Sequence, residues 1–338
     1  MTTDTPATPR RRTWSRYTDR KVPTEYEFVS HDLHWHYKPG QTPWEMAPDF
    51  VWNRWYIANR DESPFACADW NRFRDPDQLV YRTYIRMQNE AEIYVDGLID
   101  DQEARGSYAA LDPDWVEALR SGYTPFRYAG HALLMAATYI MSMAPSSYIS
   151  NAIAFQAGDE LRRIQRVAYQ ARQLQRHYPA LDIGNDRHRW EHDSAWQPLR
   201  ALLEQLLVRA DWGKAFVQLN FAVKPAIDAV FNLKLAEAAE ANGDALTAMM
   251  HRNLHADSLR SRRWSAALLQ VAGADRPANI DLALAWIGEV RPAAAAAAAE
   301  VSPLLSTPRF PMDRGETLRM ADADIDAATG LAGAASAA

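Results

Sequence analysis

The sequence predicts an all-α protein, and three features of the chain carry that prediction. From residue 75 to residue 300, apolar residues recur at intervals of three and four, as on one face of an α-helix, and little strand-like alternation is present. Proline and glycine divide this stretch into long segments, at Pro145, Pro179, Gly184, Gly243, Gly273 and Pro277. With 338 residues and 48% apolar composition, the chain is long enough to bury a large core.

The helices follow in order along the chain. Asp75 is an N-cap residue type and Pro76 suits a first helical position, so the first long helix is predicted to start near residue 76. Pro225 predicts a kink in its helix, because proline has no N–H to donate. The successive long helices predict two α-hairpins that assemble into one bundle. The predicted helices are 76–105, 112–121, 125–143, 145–177, 196–210, 211–240, 243–272 and 279–300.

The two ends of the chain are predicted to be less regular than the middle. We divide it into an irregular N-terminal arm with loops (1–75), a helical domain (76–300) and a loosely ordered tail (301–338) rich in Pro, Ser, Gly and Ala. Aromatic residues in the arm favour contact with another protein subunit over phosphate binding. The arm contains the basic residues Arg10, Arg11, Arg12, Arg16, Arg20 and Lys21 and the aromatic residues Trp14, Tyr17, Tyr26 and Phe28.

Composition excludes several classes of protein. A net charge of −6 and a pI near 5.9 argue against nucleic acid as a partner. The single cysteine, Cys67, rules out an internal disulfide and agrees with a cytoplasmic location, where it is expected to be inert. The N-terminus lacks an apolar signal core, and the apolar run 130–145 is too short to span a bilayer comfortably, so no membrane association is expected. His31, His34 and His36 lack a nearby cysteine and favour ordinary histidines over a metal site.

Two stretches resemble the Asp-Glu-x-x-His helix motif that carries dimetal ligands in ferritin-like bundles. Residues 159–163 read Asp-Glu-Leu-Arg-Arg, and residues 257–261 read Asp-Ser-Leu-Arg-Ser. A dimetal site takes a Glu from each of two helices and a Glu-x-x-His pair from each of two others. Arg163 stands in the histidine position of the first stretch and has no lone pair to donate. Ser258 and Ser261 stand where the second stretch needs Glu and His.

The other helices offer no replacement ligands. No Asp or Glu occurs in 121–158 or in 212–227, which leaves Glu160 as the one potential ligand that survives. The sequence therefore predicts that this chain holds no metal or other cofactor and has no catalytic residue. It predicts instead a structural partner of a dimetal enzyme.

Glu160 and Asp257 lie on the apolar stripes of their helices and are predicted to be buried. A buried carboxylate needs a partner, and Arg163 is one turn from Glu160. We therefore expect Arg163 to pair with Glu160 or Asp257 and to fill the volume of a metal pair. The stripes are Ile149, Ile153, Gln156, Glu160, Val167, Ala171 and Leu174, and Leu246, Met250, Leu254, Asp257, Ser261, Trp264, Leu268 and Val271.

Several stretches between about residues 10 and 300 resemble the β subunit of the toluene, alkene and isoprene monooxygenase hydroxylases. The tail is not covered by this resemblance. The stretches are Asp-Pro-Asp-Gln-Leu-Val-Tyr-Arg-Thr-Tyr at 75–84, Met-Ala-Pro-Ser-Ser-Tyr-Ile-Ser-Asn at 143–151, Asp-Trp-Gly-Lys-Ala-Phe-Val-Gln-Leu-Asn at 211–220, Val-Lys-Pro at 223–225, Arg-Trp-Ser-Ala-Ala-Leu at 263–268, and the shorter Arg-Thr-Trp-Ser at 12–15 and Glu-Tyr-Glu-Phe-Val-Ser at 25–30.

The resemblance implies a bacterial soluble diiron monooxygenase whose hydroxylase is an (αβγ)2 assembly. In that family the β subunit shares the ferritin-like fold of the catalytic α subunit, lacks iron and holds the assembly together. The α subunit carries the diiron centre and inserts an oxygen atom from O2 into an aromatic ring or across an alkene double bond. NADH supplies electrons through a flavin reductase and, in the toluene and alkene branch, a Rieske ferredoxin, and a coupling protein modulates α.

Two alternatives stay open from the sequence. The chain could be a catalytic diiron protein with an unconventional ligand set, which metal content would reveal, or a free-standing helical scaffold, which would behave as a soluble monomer. Because the substrate pocket would belong to α, toluene-type arenes, isoprene and small alkenes all remain candidates for the complex, with phenol more distant.

Overall fold

The computed structural model describes residues 24–31 and 51–334, and within them it confirms the all-α prediction. The described residues form no strand, and their β structure is limited to an isolated bridge between Thr307 and Phe310. The basic residues of the arm, His34, His36 and the last four residues lie outside the described ranges. The α-helices are α1 (Glu25–His31), α2 (Val51–Tyr56), α3 (Tyr81–Ala104), α4 (Pro113–Ala118), α5 (Phe126–Met143), α6 (Ser147–His177), α7 (Asp186–His192), α8 (Gln197–Leu207), α9 (Trp212–Gln218), α10 (Lys224–Asp228), α11 (Leu235–Ala241), α12 (Ala245–Asp275), α13 (Ala278–Val301) and α14 (Arg314–Ala334).

Two helical hairpins form the centre of the bundle, as predicted. Helix α5 packs along α6, and α11 packs against α12, which also contacts α6. Local sequence sets where these helices begin. The Ser146 side chain accepts the N–H of Tyr148 at the start of α6, and Asp244 accepts the N–H of Thr247 at the start of α12. Gly243 has a φ of +79°, the left-handed conformation that turns the chain between α11 and α12.

The predicted helix 211–240 is helical but not uniformly α-helical. The π-helical stretches Leu219–Val223 and Ala229–Lys234 separate α9, α10 and α11. Pro225 lies in the first turn of α10, directly after the first π-helical stretch. Such stretches are rare and often mark functional positions. Here they flank the short helix that supplies two buried charges to the bundle centre.

The N-terminal region is more regular than predicted. Besides α1 and α2, it contains a π-helical turn, Ile57–Asp61, and a short 3-10 turn, Trp70–Arg72. The start of α1 has a capping box that the sequence displays, since the Thr24 hydroxyl accepts the N–H of Glu27 and the Glu27 carboxylate accepts the N–H of Thr24. The prediction of an irregular stretch up to residue 75 is therefore wrong for these segments.

The first long helix begins later than predicted, at Tyr81. Asp75 does act as a cap, but it caps the turn that lies before α3. Its carboxylate accepts the N–H of Asp77 at 3.0 Å. Gln78 has a φ of +46°, in the left-handed region that interrupts a right-handed helix. The helix therefore cannot extend from Pro76 through this residue.

The C-terminal tail is also more ordered than predicted. Helix α14 packs against α10, α12 and α13. Ala321, Ile325 and Ala328 are buried at an i, i+4, i+7 spacing, so the helix has an apolar face. Arg262 of α12 pairs with Asp324 across the contact. The tail was predicted to be loosely ordered because it is rich in small residues. Among so many small residues, a narrow apolar face is difficult to recognise from the sequence.

The segment Ala278–Leu305 is long and apolar enough to cross a membrane by length and composition. Of its most apolar window, 44% is buried inside the bundle. A core helix of a globular protein has the same features, and α13 lies against α8, α9 and α14.

Phe65 fastens the N-terminal region to the helical core. Its ring lies 5.7 Å from the Trp212 ring and 6.3 Å from the Phe216 ring, between centroids. The approach is possible because residue 213 is glycine. A Cβ atom added there would lie 2.5 Å from the Phe65 Cβ.

We expect Gly213→Ala to destabilise the chain by about 1–3 kcal/mol, because the added methyl group forces Phe65 out of its position. Chemical denaturation of the full-length variant measures this. Gly288→Ala is the matched control, since Gly288 is exposed on α13 with nothing within 4 Å of an added Cβ. The control is expected to be neutral or slightly stabilising. Equal stability of the two variants would contradict the proposed close contact.

Candidate functional site

The two degenerate motifs meet in the bundle interior, on α6 and α12. Glu160, Arg163, Asp257, Ser258 and Ser261 are all buried. The rest of the predicted stripes is buried as well, except Val271, which is half-buried. The spacing of apolar residues therefore predicted the buried faces of both helices correctly.

Four charged side chains from α6 and α10 form a closed cluster at this position. The Nζ atom of Lys224 donates to Glu160 and lies 3.1 Å from the Asp228 carboxylate. The Arg163 guanidinium donates to Asp228 at 2.8 Å and lies 3.9 Å from Glu160. Each of these side chains is at most 6% exposed. We call these four residues the central charge cluster.

Helix geometry places the four groups together. Glu160 and Arg163 are three residues apart on α6, and Lys224 and Asp228 are four apart on α10, so each pair shares one helix face. Arg163 also lies over the Phe126 ring, 4.3 Å from its centroid, and so fills the space beside α5.

The expected pairing of Arg163 is only partly correct. Glu160 is within ion-pair range, but the direct hydrogen bond goes to Asp228, and Asp257 belongs to a different cluster. Asp228 was not predicted from the sequence, because it directly follows the carboxylate-free stretch 212–227. The i, i+4 spacing of Lys224 and Asp228 was the available signal.

Ser258 and Ser261 have different roles. The Ser258 hydroxyl accepts from Lys224 and from the Asn232 side chain, at 3.3 Å in each case. The Ser261 hydroxyl donates to the backbone carbonyl of Asp257, at 3.2 Å, on its own helix. Of the two serines, only Ser258 therefore hydrogen bonds to the central charge cluster.

The central charge cluster carries no net charge, because two cations face two carboxylates. Burial opposes ionisation of Asp228, but Lys224 and Arg163 outweigh it and hold the pKa of Asp228 below its usual range. Burial likewise disfavours the Lys224 ammonium, while Asp228 and Glu160 keep the pKa of Lys224 above its usual value. Asp228 and Lys224 are therefore ionised at neutral pH.

A second cluster joins α3, α6 and α12. Asp257 accepts from Arg162 at 2.7 Å and lies 3.1 Å from Arg260, which also donates to Asp159. The Gln88 amide of α3 bridges the two carboxylates, donating to Asp159 at 2.8 Å and to Asp257 at 3.0 Å. These five residues form the α3 junction cluster. Burial and the charge of Asp257, opposed by Arg260, raise the pKa of Asp159 to about 8.

His251 is a buried polar residue that the sequence argument did not single out. Its ring nitrogens lie 3.1 Å from the Tyr123 hydroxyl and 3.4 Å from the Asn232 side-chain oxygen. Burial, with the nearby charge of Arg163, lowers the pKa of His251 to about 3, so the ring is neutral. It completes the hydrogen bonding of Asn232, which also donates to Ser258.

The other candidate residues do not join these clusters. Cys67 is a half-buried free thiol whose pKa is raised by burial. The side chains of His31, His34 and His36 lie outside the described part of the chain. Among residues 24–31 and 51–334, no three His, Cys, Asp or Glu side chains are grouped so that they could hold a metal ion.

Residues 55–276 match the family model described as methane/phenol/alkene hydroxylase, about two thirds of the chain. The chain belongs to this family. The β subunit of the hydroxylase component of the toluene-4-monooxygenase system of Ectopseudomonas mendocina is 38% identical over 91% of this chain and 95% of its own length. The small subunit of the hydroxylase component of a propane 2-monooxygenase from Gordonia sp. (strain TY-5) is 25% identical over 71% of this chain and 67% of its own length.

Solved structures of the family agree with the helical fold. A structure of toluene 4-monooxygenase with toluene in its resting active site matches with a TM-score of 0.83 and 38% identity, over 88% of this chain and 98% of that one. A xenon-pressurised phenol hydroxylase from Pseudomonas sp. OX1 matches with a TM-score of 0.81 at 19% identity, over 98% and 97% of the two chains, which supports the fold alone.

The residues at the motif positions of this family member do not fit a pair of metal ions. Lys224 and Arg163 carry positive charge and offer no lone pair, and both contact the carboxylates that a metal would need. Ser258 and Ser261 cannot replace the missing Glu and His as strong ligands. The two cations supply the positive charge that metal ions provide in a carboxylate-bridged site.

We expect Arg163→Ala to destabilise the chain by about 3–5 kcal/mol, because it leaves an uncompensated carboxylate in the bundle centre. Urea denaturation of the full-length protein gives this value. Arg105→Ala is the control, since Arg105 makes an i, i+4 pair with Asp101 at the surface and is 72% exposed. That pair contributes at most about 1 kcal/mol. If Arg163→Ala and the control have equal melting temperatures, the buried pair of Arg163 and Asp228 is not essential for stability.

The α3 junction cluster predicts a dependence of stability on pH. The pKa of Asp159 is near 3.8 in the unfolded chain and about 8 in the folded one, so unfolding releases a proton between these values. The contribution of this carboxyl is present in full at low pH and declines as pH rises towards 8.

In Asp159→Asn, which is neutral at every pH, we expect a smaller loss of unfolding free energy between about pH 5 and about pH 8 than in the wild type. Denaturation curves at both values measure the difference. The Asp100→Asn substitution, at an exposed position of α3, should retain the wild-type slope. A slope in Asp159→Asn that equals the wild-type slope would refute this assignment.

Proposed function

We propose that this chain is the non-catalytic, structural β subunit of the hydroxylase of a multicomponent diiron monooxygenase. The assembled enzyme would oxidise an aromatic hydrocarbon or an alkene with O2 and NADH. The observation that carries the proposal is the near full-length similarity to the β subunit of the toluene-4-monooxygenase hydroxylase component, at 38% identity. The chain is then part of an oxidoreductase without contributing catalytic residues itself.

The central charge cluster supports the non-catalytic assignment. A diiron enzyme needs metal ligands and room for O2 and substrate beside them. In this chain that space is taken by two salt-bridged cations, and Arg163 is stacked on Phe126. The same contacts disfavour a diiron enzyme with an unconventional ligand set, because any ligand would first have to lose its cation partner.

The assembly we propose is an (αβγ)2 hydroxylase in the cytoplasm. The α subunit would hold the diiron centre, and γ would be the small subunit. A coupling protein, a Rieske ferredoxin and a flavin reductase would complete the system, with no role for nucleic acid or a membrane. Exposed aromatic side chains, such as Trp52 at 70% and Trp55 at 49%, suit a subunit with large protein contacts.

Native mass spectrometry with metal analysis tests the proposal. The chain is expressed alone, and then together with the other hydroxylase subunits from its own operon. We expect iron-free protein in the first case and an iron-containing (αβγ)2 particle that includes this chain in the second. Two irons in the isolated chain would show that it is itself a metalloenzyme, and failure to enter the particle would favour a free-standing scaffold.

A further inference from the structure

A small, partly open cavity lies between α6, α12 and the turn that precedes α3. Its volume is about 10 Å³. Leu79, Ala152 and Phe155 contribute apolar atoms to its lining. The polar lining consists of Asp75, Gln156, Asp159, Arg260, Ser261 and Trp264.

Gln156 is a lining residue whose side-chain amide lacks hydrogen-bond partners in the protein. It is 2% exposed, and neither the oxygen nor the nitrogen of its amide has a hydrogen-bond partner in the protein. The indole nitrogen of Trp264, another lining residue, is also buried without a partner. Unsatisfied buried polar groups of this kind are costly, so they need an occupant that can both donate and accept hydrogen bonds.

The charges around the cavity restrict the chemistry of this occupant. A cation would meet the Arg260 guanidinium, and an anion would meet the carboxyl groups of Asp75 and Asp159. An apolar guest would leave Gln156 and Trp264 unpaired. The volume suits one molecule of the size of water.

We propose that this cavity is a binding site for a single structural water molecule. The water accepts from and donates to the Gln156 amide and links it to the polar groups of α12 and of the turn at Asp75. It thereby ties the segment that leads into α3 to the two motif helices. This site is independent of the proposed enzyme assembly, since every group in it belongs to this chain.

A crystal structure of the full-length chain tests the site directly. We expect one ordered water within hydrogen-bond distance, about 2.7–3.2 Å, of a Gln156 amide atom and of at least one further lining group. An empty cavity, or a Gln156 amide bonded directly to another protein group, would overturn the proposal.

The Gln156→Met substitution gives a second test, because a water-filled cavity and a dry cavity predict opposite changes in the melting temperature. If a water satisfies the amide, methionine removes partners of that water and the melting temperature falls. If the cavity is dry, methionine removes two unsatisfied polar atoms and the melting temperature rises. Gln165→Met, at an exposed position of the same helix, corrects for the intrinsic effect of the change. A rise relative to this control would reject the water site.

Discussion

The interior of this bundle depends on the neutralisation of buried charge where α6, α10 and α12 meet. Glu160 and Asp228 are almost fully buried, and isolated carboxylates in such a place would be strongly unfavourable. In a dimetal protein the metal ions supply the compensating positive charge. In this chain Lys224 and Arg163 supply it, and the cluster is electrically neutral. The charges of these four side chains therefore balance within the chain's own helices.

The α3 junction cluster also balances buried charge. Asp159 and Asp257 lie against two guanidinium groups, and the Gln88 amide of α3 bridges the two side chains. Burial raises the pKa of Asp159 to about 8, so this carboxyl group is mostly protonated at neutral pH. Helices α3 and α6 can approach each other closely at this point because residue 158 of α6 is glycine. A Cβ atom added there would lie 2.5 Å from the hydroxyl oxygen of Tyr84 on α3. The central charge cluster and the α3 junction cluster together link the long helices α3, α6 and α12.

Prediction from sequence succeeded where a strong period was present and failed where the signal was short. The long helices from α5 to α13 were recognised from their apolar stripes and their proline and glycine boundaries. Helix α1 has a capping box at Thr24 and Glu27, and α14 has a narrow face at Ala321, Ile325 and Ala328, but composition outweighed both signals. The left-handed residue Gln78, which delays the start of α3, has no marker in the sequence.

For the site, the sequence by itself determined which helix faces are buried and which residues stand at the positions of the dimetal motif, because both follow from residue type and spacing along one helix. Only the tertiary structure decided the partners. Arg163 bonds Asp228, which lies 65 residues away on α10, and Asp257 instead meets Arg162. Such choices depend on how helices are placed against one another in three dimensions, and the period of a single helix carries no information about that placement.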